Sequence, residues 1–215
     1  MCMGGLLGPG VLVSYLLRAV VMLIAIPFHE AAHALVSWKL GDPTAKNAGR
    51  LSLDPRRHFD LMGGICMIFA GVGWARPVSI RPDRFKNPKT GMAISASAGP
   101  ISNLLLAYLS MIVYKLLAIW FGYGIPELIY RLFYYMISMN VSLAVFNLLP
   151  VPPFDGSRIA LLFLPQKYYF QAMRYERQIM IVVLIAAVFG ILNYPLSIIG
   201  NAVWQILDLA TAFVA

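Results

Sequence analysis

Two histidines and a glutamate lie inside the apolar stretch 19–38 with the spacing of a metal site. They occur in the order H-E-x-x-H, at His29, Glu30 and His33. Residues four apart share one face of an α-helix, so the two imidazoles can bind the same metal ion. Glu30, beside the first ligand, can reach a metal-bound water and accept its proton. The alternative, a pair of hydrogen-bonded core histidines, is disfavoured because ionisable groups at membrane depth are costly and usually functional.

The elements that must position this motif are those of a membrane protein. Of the 215 residues, 60% are hydrophobic and only 12% are charged, and the mean hydropathy is +0.75. A soluble domain would need more charge on its surface. The net charge of +8 does not indicate nucleic-acid binding, because 14 of the 17 Lys and Arg residues fall in loops that the predicted spans bring to one face. That face is expected to be cytoplasmic.

Apolar runs long enough to cross a bilayer organise the chain. The first three predicted spans cover residues 11–40, 91–121 and 128–149. Pro27 removes a backbone hydrogen bond from the first span, so a kink is expected close to the metal motif. The Gly-rich residues 60–75 are too few for an independent span and are predicted to be buried or to dip into the membrane and return.

The predicted fold class is therefore an all-α polytopic membrane protein with about four to six membrane segments. The chain is interpreted as one domain, 1–215, with its core at 11–164 and C-terminal membrane segments at 178–215. Short β-strands are predicted near residues 46–53 and 75–80, and a plain connecting loop is the alternative for 49–53. An exposed strand edge at this place could hold an extended substrate by strand addition.

A third metal ligand is expected, because catalytic zinc commonly has three protein ligands and a water. Metzincins carry a third histidine six residues after the second, but that position is Lys39, which excludes the class. Glu127 falls at a turn on the far side of the membrane and Glu176 in a basic segment, so neither suits a site near His29. Asp155 lies at the cytoplasmic end of its span, as does the C-terminal end of the histidine helix. Its depth therefore predicts Asp155 as the third ligand, a role compatible with capping the next helix.

Two further polar side chains have competing interpretations. Asn103 lies inside the second long span, where its amide can either form an interhelical hydrogen bond or hold the substrate near the metal. The residues alone favour neither role. His58 follows Arg56 and Arg57, so it is expected to face water or lipid headgroups rather than the metal.

These residues together resemble the three signatures of the site-2 protease family of intramembrane zinc metalloproteases. The matching segments are His29-Glu30-Ala-Ala-His33, Gly99-Pro100-Ile-Ser-Asn103, and Asn147-Leu-Leu-Pro150 followed by Asp155-Gly156. Residues 49–55 and 73–78 also resemble segments of the compact prokaryotic branch, which lacks PDZ or CBS domains. The resemblance extends from about residue 20 to residue 177.

The resemblance implies a function as well as a fold. It implies that His29, His33 and Asp155 bind one Zn²⁺ per chain. It also implies that Glu30 is catalytic and that Asn103 holds the substrate or stabilises the transition state. The implied enzyme is a zinc metalloendopeptidase of the cell membrane, with its site toward the cytoplasm. It would hydrolyse peptide bonds in or near the transmembrane segments of membrane-protein substrates, as in regulated intramembrane proteolysis.

The alternative is a non-hydrolytic membrane protein that reuses the fold, such as a metal transporter or a metal-binding pseudoenzyme. Transporters typically contain paired halves with interrupted helices in matching places, and no such pairing is visible in this sequence. A pseudoenzyme is expected to have lost Glu30 or a ligand, whereas all four residues are present. Neither the substrate nor the oligomeric state follows from the sequence.

Overall fold

The metal motif lies on a single long helix. The computed structural model describes residues 9–58, 60–64, 75–160, 162–163 and 174–214. The first helix, α1, runs for 31 residues from Pro9 to Lys39. Pro27 lies within α1 without ending it and is fully buried. The chain turns immediately after α1 at Gly41, whose φ of 109° is one that glycine adopts without steric cost.

The other described helices follow in chain order. They are α2 (Thr44–Asn47), α3 (Pro88–Phe121), α4 (Glu127–Asn147), α5 (Asp155–Ala160), α6 (Glu176–Val188) and α7 (Asn193–Ala210). Short 3₁₀ turns cover Pro55–Arg57, Pro82–Arg84, Gly122–Gly124 and Ala212–Val214. Asn87 caps α3 by accepting a hydrogen bond from the Thr90 backbone at 3.2 Å, and Pro88 occupies the first turn, where its missing N–H costs nothing.

Helices α1, α3 and α4 are long and apolar enough to cross a membrane. Their outward faces carry large apolar side chains such as Leu16, Leu105 and Ile119, which are exposed in the isolated chain and suited to contact lipid. The prediction of an all-α polytopic membrane protein is confirmed, and the three predicted spans agree with the helices to within a few residues. The exact number of crossings stays a prediction.

Helix α3 is the centre of the bundle, because it packs against α1, α4, α5 and α7. Its N-terminal half buries small residues, namely Gly91, Ala93, Ser95, Ala96, Ala98 and Gly99. Further along, a cluster of larger side chains joins it to α4 and α7, namely Ala107, Met111, Ile137, Val141, Val145 and Leu207. Helices α1 and α4 also contact each other directly, so α1, α3 and α4 enclose the buried polar residues of the first helix.

The two predicted strands do not form, which corrects that part of the fold prediction. Residues 46–53 continue from α2 through a turn at Gly49, whose φ is 71°, and residues 75–80 are extended without a strand partner in the described chain. The backbone groups that a ladder would use are bonded elsewhere, as when Arg76 N donates to the His58 carbonyl at 2.9 Å. Both segments are connecting loops.

The remaining regional predictions have different outcomes. Most of the predicted re-entrant segment, 60–75, lies outside the described residues, and the single-domain assignment stays a prediction. In the C-terminal region α6 and α7 are separate helices, with Gly190 at a φ of 73° in the turn between them. Pro195 does not end a helix but lies in the first turn of α7, where its fixed φ is tolerated.

Candidate metal centre

The structure brings His29, His33 and Asp155 together. The Nε2 atoms of the two histidines are 3.1 Å apart, and each lies 3.2 Å from Oδ2 of Asp155. Both histidines are buried, with 8% and 5% of their surface exposed, and they lie on successive turns of α1. Since His29 precedes the end of α1 at Lys39 by ten residues, the cluster lies about 15 Å inside that end of the helix.

The three donor atoms fit a tetrahedral zinc ion. Two ligand atoms at about 2.0–2.1 Å from tetrahedral zinc are about 3.3–3.4 Å from each other, close to the three observed separations. The ring nitrogen Nδ1 of His33 is 2.7 Å from the Ser95 carbonyl oxygen. Because a carbonyl only accepts, Nδ1 carries the proton and the lone pair of Nε2 points into the cluster, the form that binds a metal. Two imidazoles and one carboxylate are also a common ligand set of catalytic zinc.

A glycine of α3 makes this cluster sterically feasible. A Cβ at Gly99 would lie 2.4 Å from His33 Nε2 and 2.5 Å from His29 Cε1, closer than real Cβ contacts. The backbone of α3 therefore approaches both imidazole rings directly. The neighbouring Ser95 supports the same approach, since its hydroxyl is 2.6 Å from that of Ser37 on α1. Small residues at a helix–helix contact permit this spacing in lipid.

Asp155 reaches the histidines through a tight turn. Helix α4 ends at Asn147, the Pro152–Pro153 peptide bond is cis, and Asp155 is the first residue of α5. Gly156 is required at this turn, because a Cβ there would lie 2.1 Å from the Leu148 carbonyl oxygen. The proline-rich sequence after α4 therefore ends the helix and folds the chain back, so that the carboxylate faces α1.

Glu30 lies beside the cluster and is held by a loop. Its Oε2 accepts a hydrogen bond from the Val78 backbone at 3.1 Å, and its side chain is as buried as that of His29. The extended loop 75–81 is itself anchored at its end, because Arg81 N donates to Oδ2 of Asp42 at 2.7 Å. The carboxylate of Glu30 is thus oriented by a backbone N–H that lies 48 residues away in sequence.

Asp42, outside the spans, anchors this loop through a network of donors. Burial of the Asp42 carboxyl raises its pKa, but the hydrogen bonds from Arg81 and Thr44 and the positive charge of Arg84 outweigh burial. The net effect holds the pKa of Asp42 below its usual value. The ionised form is therefore the one that the folded protein stabilises, and it ties the end of α1 to the loop that orients Glu30.

The two residues with competing interpretations are both fully buried. Neither polar atom of the Asn103 amide has a hydrogen-bond partner among the described residues, so the interhelical hydrogen bond does not form there. Asn103 lies one helical turn beyond Gly99 on the same face of α3. Its catalytic role stays a prediction. The expectation that His58 faces water is wrong: its Nε2 is 2.7 Å from the Ser52 carbonyl, and the ring packs within the loop region.

A large open groove runs from the cluster along α1 and α4. It has a volume of about 1790 Å³, and its lining includes His29, Glu30, His33 and Asp155. Residues of α4, α6 and α7, such as Tyr135, Met180 and Trp204, also line it. A groove of this size can receive a segment of polypeptide rather than only a small molecule.

Sequence reasoning missed the groups that act through the backbone. The Ser95 carbonyl and the Val78 N–H have no side-chain signal, so no motif could reveal them. Gly99 and Gly156 do have a signal, because each lies within a matched segment and glycine permits close backbone approach.

Comparisons with known proteins place this chain beside peptidases. The family model described as Peptidase family M50 matches residues 123–192. The chain is 40% identical over 146 residues to "Putative zinc metalloprotease YwhC" of Bacillus subtilis, with 65% of each chain covered. It is 30% identical over 145 residues to "Putative zinc metalloprotease Rip2" of Mycobacterium tuberculosis, covering 62% of this chain and 52% of the relative.

An archaeal relative gives a similar match. The chain is 31% identical over 134 residues to "Putative zinc metalloprotease MJ0611" of Methanocaldococcus jannaschii, covering 61% of this chain and 62% of the relative. The chain therefore spans less than two thirds of the length of these three relatives. No solved structure matches it. The names of the relatives and the three-residue cluster both support zinc as the cofactor.

Proposed function

We propose that this chain is an intramembrane zinc metalloprotease. The match of residues 123–192 to Peptidase family M50 and the names of the relatives confirm the predicted resemblance to the site-2 protease family. The substrates of this chain are membrane proteins, and it cleaves them in or near a transmembrane helix, as in regulated intramembrane proteolysis. The observation that carries this proposal is the convergence of His29, His33 and Asp155 beside Glu30, inside a helix long enough to cross a membrane.

The four residues divide the chemistry between them. His29, His33 and Asp155 would hold zinc, which would supply Lewis acidity to the scissile carbonyl and to the attacking water. Glu30 is the general base: one carboxylate oxygen is fixed by the Val78 N–H, and the other accepts the proton of the water. The same oxygen then passes the proton to the leaving amine, which completes hydrolysis without another acid.

Asn103 and the groove handle the substrate. The buried amide of Asn103, whose polar atoms lack partners in the described chain, donates a hydrogen bond to the substrate backbone or to the developing oxyanion. A substrate helix hides its amides in its own hydrogen bonds, so it must unwind locally before attack. Helix-breaking residues in the substrate lower that cost.

Orientation follows from charge. The basic loops after α1 and before α3 lie at the end of the bundle nearer the metal cluster, and cytoplasmic loops are those enriched in Lys and Arg. We therefore place the protein in the cell membrane with its site toward the cytoplasm, where water enters from the polar end of the groove.

The decisive test is cleavage of a transmembrane substrate in proteoliposomes. A Glu30→Gln variant is expected to lose activity by about 10²–10⁴-fold, the usual contribution of a general base, while binding as much zinc as wild type. Glu127→Gln is the matched control, because Glu127 is exposed and pairs only with Arg131 within the described chain. Full activity in Glu30→Gln would refute the proposed mechanism.

Zinc stoichiometry separates the protease from its alternatives. An Asp155→Ala variant is expected to lose tight zinc binding, because one of the three ligands is removed. Undiminished affinity in that variant would mean that another residue completes the site. Wild-type protein that binds one zinc ion but cleaves no membrane-helix substrate would favour the pseudoenzyme or transporter instead.

A further inference from the structure

The groove contains a positive charge far from the metal cluster. Of the 17 basic residues, only Arg18, Lys115 and Arg131 lie outside the basic loops. Arg18 is on α1, eleven residues before His29, which places it about 16 Å along the helix toward the opposite side of the membrane. It lines the same groove as His29 and Glu30.

Arg18 differs from the other two in its partners. Lys115 Nζ is 2.8 Å from a carboxylate oxygen of Asp208, and Arg131 Nε is 2.6 Å from one of Glu127. In the described part of the chain, no carboxylate lies within 4.0 Å of the Arg18 guanidinium. The charges of Lys115 and Arg131 are paired with carboxylates, whereas the described residues supply no carboxylate to Arg18.

An aromatic ring orients the guanidinium of Arg18. The guanidinium carbon lies 5.2 Å from the ring centroid of Tyr135 on α4, a cation–π arrangement. A stacked guanidinium keeps its remaining N–H donors in a fixed plane, and that planar fork matches a carboxylate with two parallel hydrogen bonds.

An arginine on a membrane-spanning helix that lines a groove and has no carboxylate partner among the described residues is a candidate binding residue. Lys39, at the basic end of α1, is 21 residues from Arg18, or about 31 Å along the helix. Arg18 therefore lies close to the opposite headgroup level, where the polar flank of a substrate helix would enter. Its position inside the groove favours a polypeptide over a lipid headgroup.

We propose that Arg18, held by Tyr135, is a carboxylate-binding subsite that anchors the far-side end of the substrate. This inference rests on the proposed protease function. The distance from Arg18 to the cluster would set the number of residues between the bound carboxylate and the cleaved bond. A substrate that is helical between the two points would place its carboxylate about 11 residues from the cleaved bond, and a fully extended one about 5 residues.

The test compares matched substrates with the full-length protein in vesicles. A model transmembrane substrate carries one Asp or one Asn at successive positions on the far side of the cleavage site. Wild type is expected to cleave the best Asp substrate with a kcat/KM about tenfold above its Asn counterpart, as charge-assisted hydrogen bonds allow. Arg18→Gln should cleave both at the Asn rate, and Arg131→Gln should keep the preference.

Two additions keep the test decisive. Arg18→Lys retains the charge but not the fork, so it should preserve part of the preference even if Arg18→Gln folds poorly. Binding of the same substrates to a Glu30→Gln variant should repeat the preference without cleavage. In one outcome, the wild type binds the Asp substrate more tightly than the Asn substrate through Arg18 and yet cleaves neither. That result would refute the protease function and support the subsite.

The source of the carboxylate and the rival anion are outcomes of the same experiment. A second pair of substrates ends at the best position, one with a free terminal carboxylate and one with an amidated terminus. Faster cleavage of the free form would show that Arg18 binds a chain-terminal carboxylate as well as an Asp side chain. Equal cleavage of Asp and Asn substrates by wild type would overturn the proposal. A second result would also overturn it. If Arg18→Gln lost the same activity toward both substrates, and only in vesicles with anionic lipid, Arg18 would bind a lipid headgroup instead.

Discussion

The two halves of α3 are packed in different ways. Near the metal cluster most of its buried positions are glycine, alanine and serine, and its backbone approaches the imidazole rings of α1 closely. Toward the far side its buried positions include Met111, which packs with Ile137, Val141 and Leu207. The small side chains of the first half bury little apolar area and so add little stability, but they bring groups on two helices into hydrogen-bond distance.

The two kinds of packing in α3 have different consequences: one fixes the geometry of the site, and the other stabilises the bundle. Where backbones approach closely, an added methyl group has no room, so the half that forms the site is intolerant of larger side chains. Where large side chains interdigitate, dispersion contacts stabilise the bundle and a deletion leaves a cavity. We therefore expect substitutions in the first half to abolish metal binding, and those in the second half to lower stability while the site survives.

The largest effect is expected from Gly99→Ala. Its Cβ would overlap both histidine rings, so the rings must move and the three donor atoms no longer converge. A displacement on the order of 1 Å lowers catalytic rates by about 10²-fold, so proteolysis should fall at least that far, and tight zinc binding should be lost. Zinc competition with a chelator and a cleavage assay measure the two quantities.

The matched control is Gly200→Ala on α7. A Cβ at Gly200 meets nothing within 4 Å, so zinc affinity should match wild type. If Gly99→Ala bound zinc and cleaved substrate normally, the close approach of α3 would not be a requirement of the site.

A smaller, different effect is expected from Met111→Ala. Met111 is 2% exposed, and its removal leaves a cavity among the apolar residues of α3, α4 and α7. The free energy of unfolding should fall by about 2 kcal/mol, at the low end for such changes because the side chain is exposed to lipid rather than water on unfolding. Denaturant titration in micelles measures this value.

The zinc affinity of Met111→Ala tests whether the two halves of α3 are independent. In Met111→Ala it should remain that of wild type, because the cavity lies more than two helical turns from Gly99. Leu109→Ala, at an exposed position of the same helix, should change the free energy of unfolding by less than about 0.5 kcal/mol. Loss of zinc in Met111→Ala would show that the two halves are not independent.

The smallest effect concerns acid and the loop beside the site. The pKa of Asp42 is lowered in the folded protein, so its ionised form stabilises the fold at pH values above the unfolded pKa of about 3.9. That contribution is lost as the pH falls through the lower, folded pKa. The stability difference between wild type and Asp42→Asn should therefore be present at neutral pH and shrink below about pH 4.

Chelator in all samples keeps zinc release from contributing to that difference. Asp83→Asn is the control, because Asp83 is exposed and its nearest ion pair is 3.9 Å long. A stability difference for Asp42→Asn that is the same at every pH would contradict the role of the ionised carboxylate.

Much of the fold could be read from local pattern. Apolar runs at 11–40, 91–121 and 128–149 became α1, α3 and α4, because a helix that crosses a bilayer must satisfy its backbone internally and show apolar side chains to lipid. The predicted strands were wrong, because two short extended loops form a ladder only if the fold aligns them, and here their backbone groups bond to other partners.

The sequence by itself determined which side chains form the candidate site. Residue type and a four-residue spacing placed His29 and His33 on one helix face, and the depth of its span selected Asp155. Helical periodicity and membrane thickness are local constraints, so they need no knowledge of distant contacts.

Only the tertiary structure decided how those side chains are held. The proton on His33 is fixed by a carbonyl 62 residues away, Glu30 by an N–H 48 residues away, and the buried position of His58 by its loop. It also decided that Arg18 faces the groove. These are backbone and packing contacts between segments distant in sequence, and they exist only once helix packing has brought the segments together.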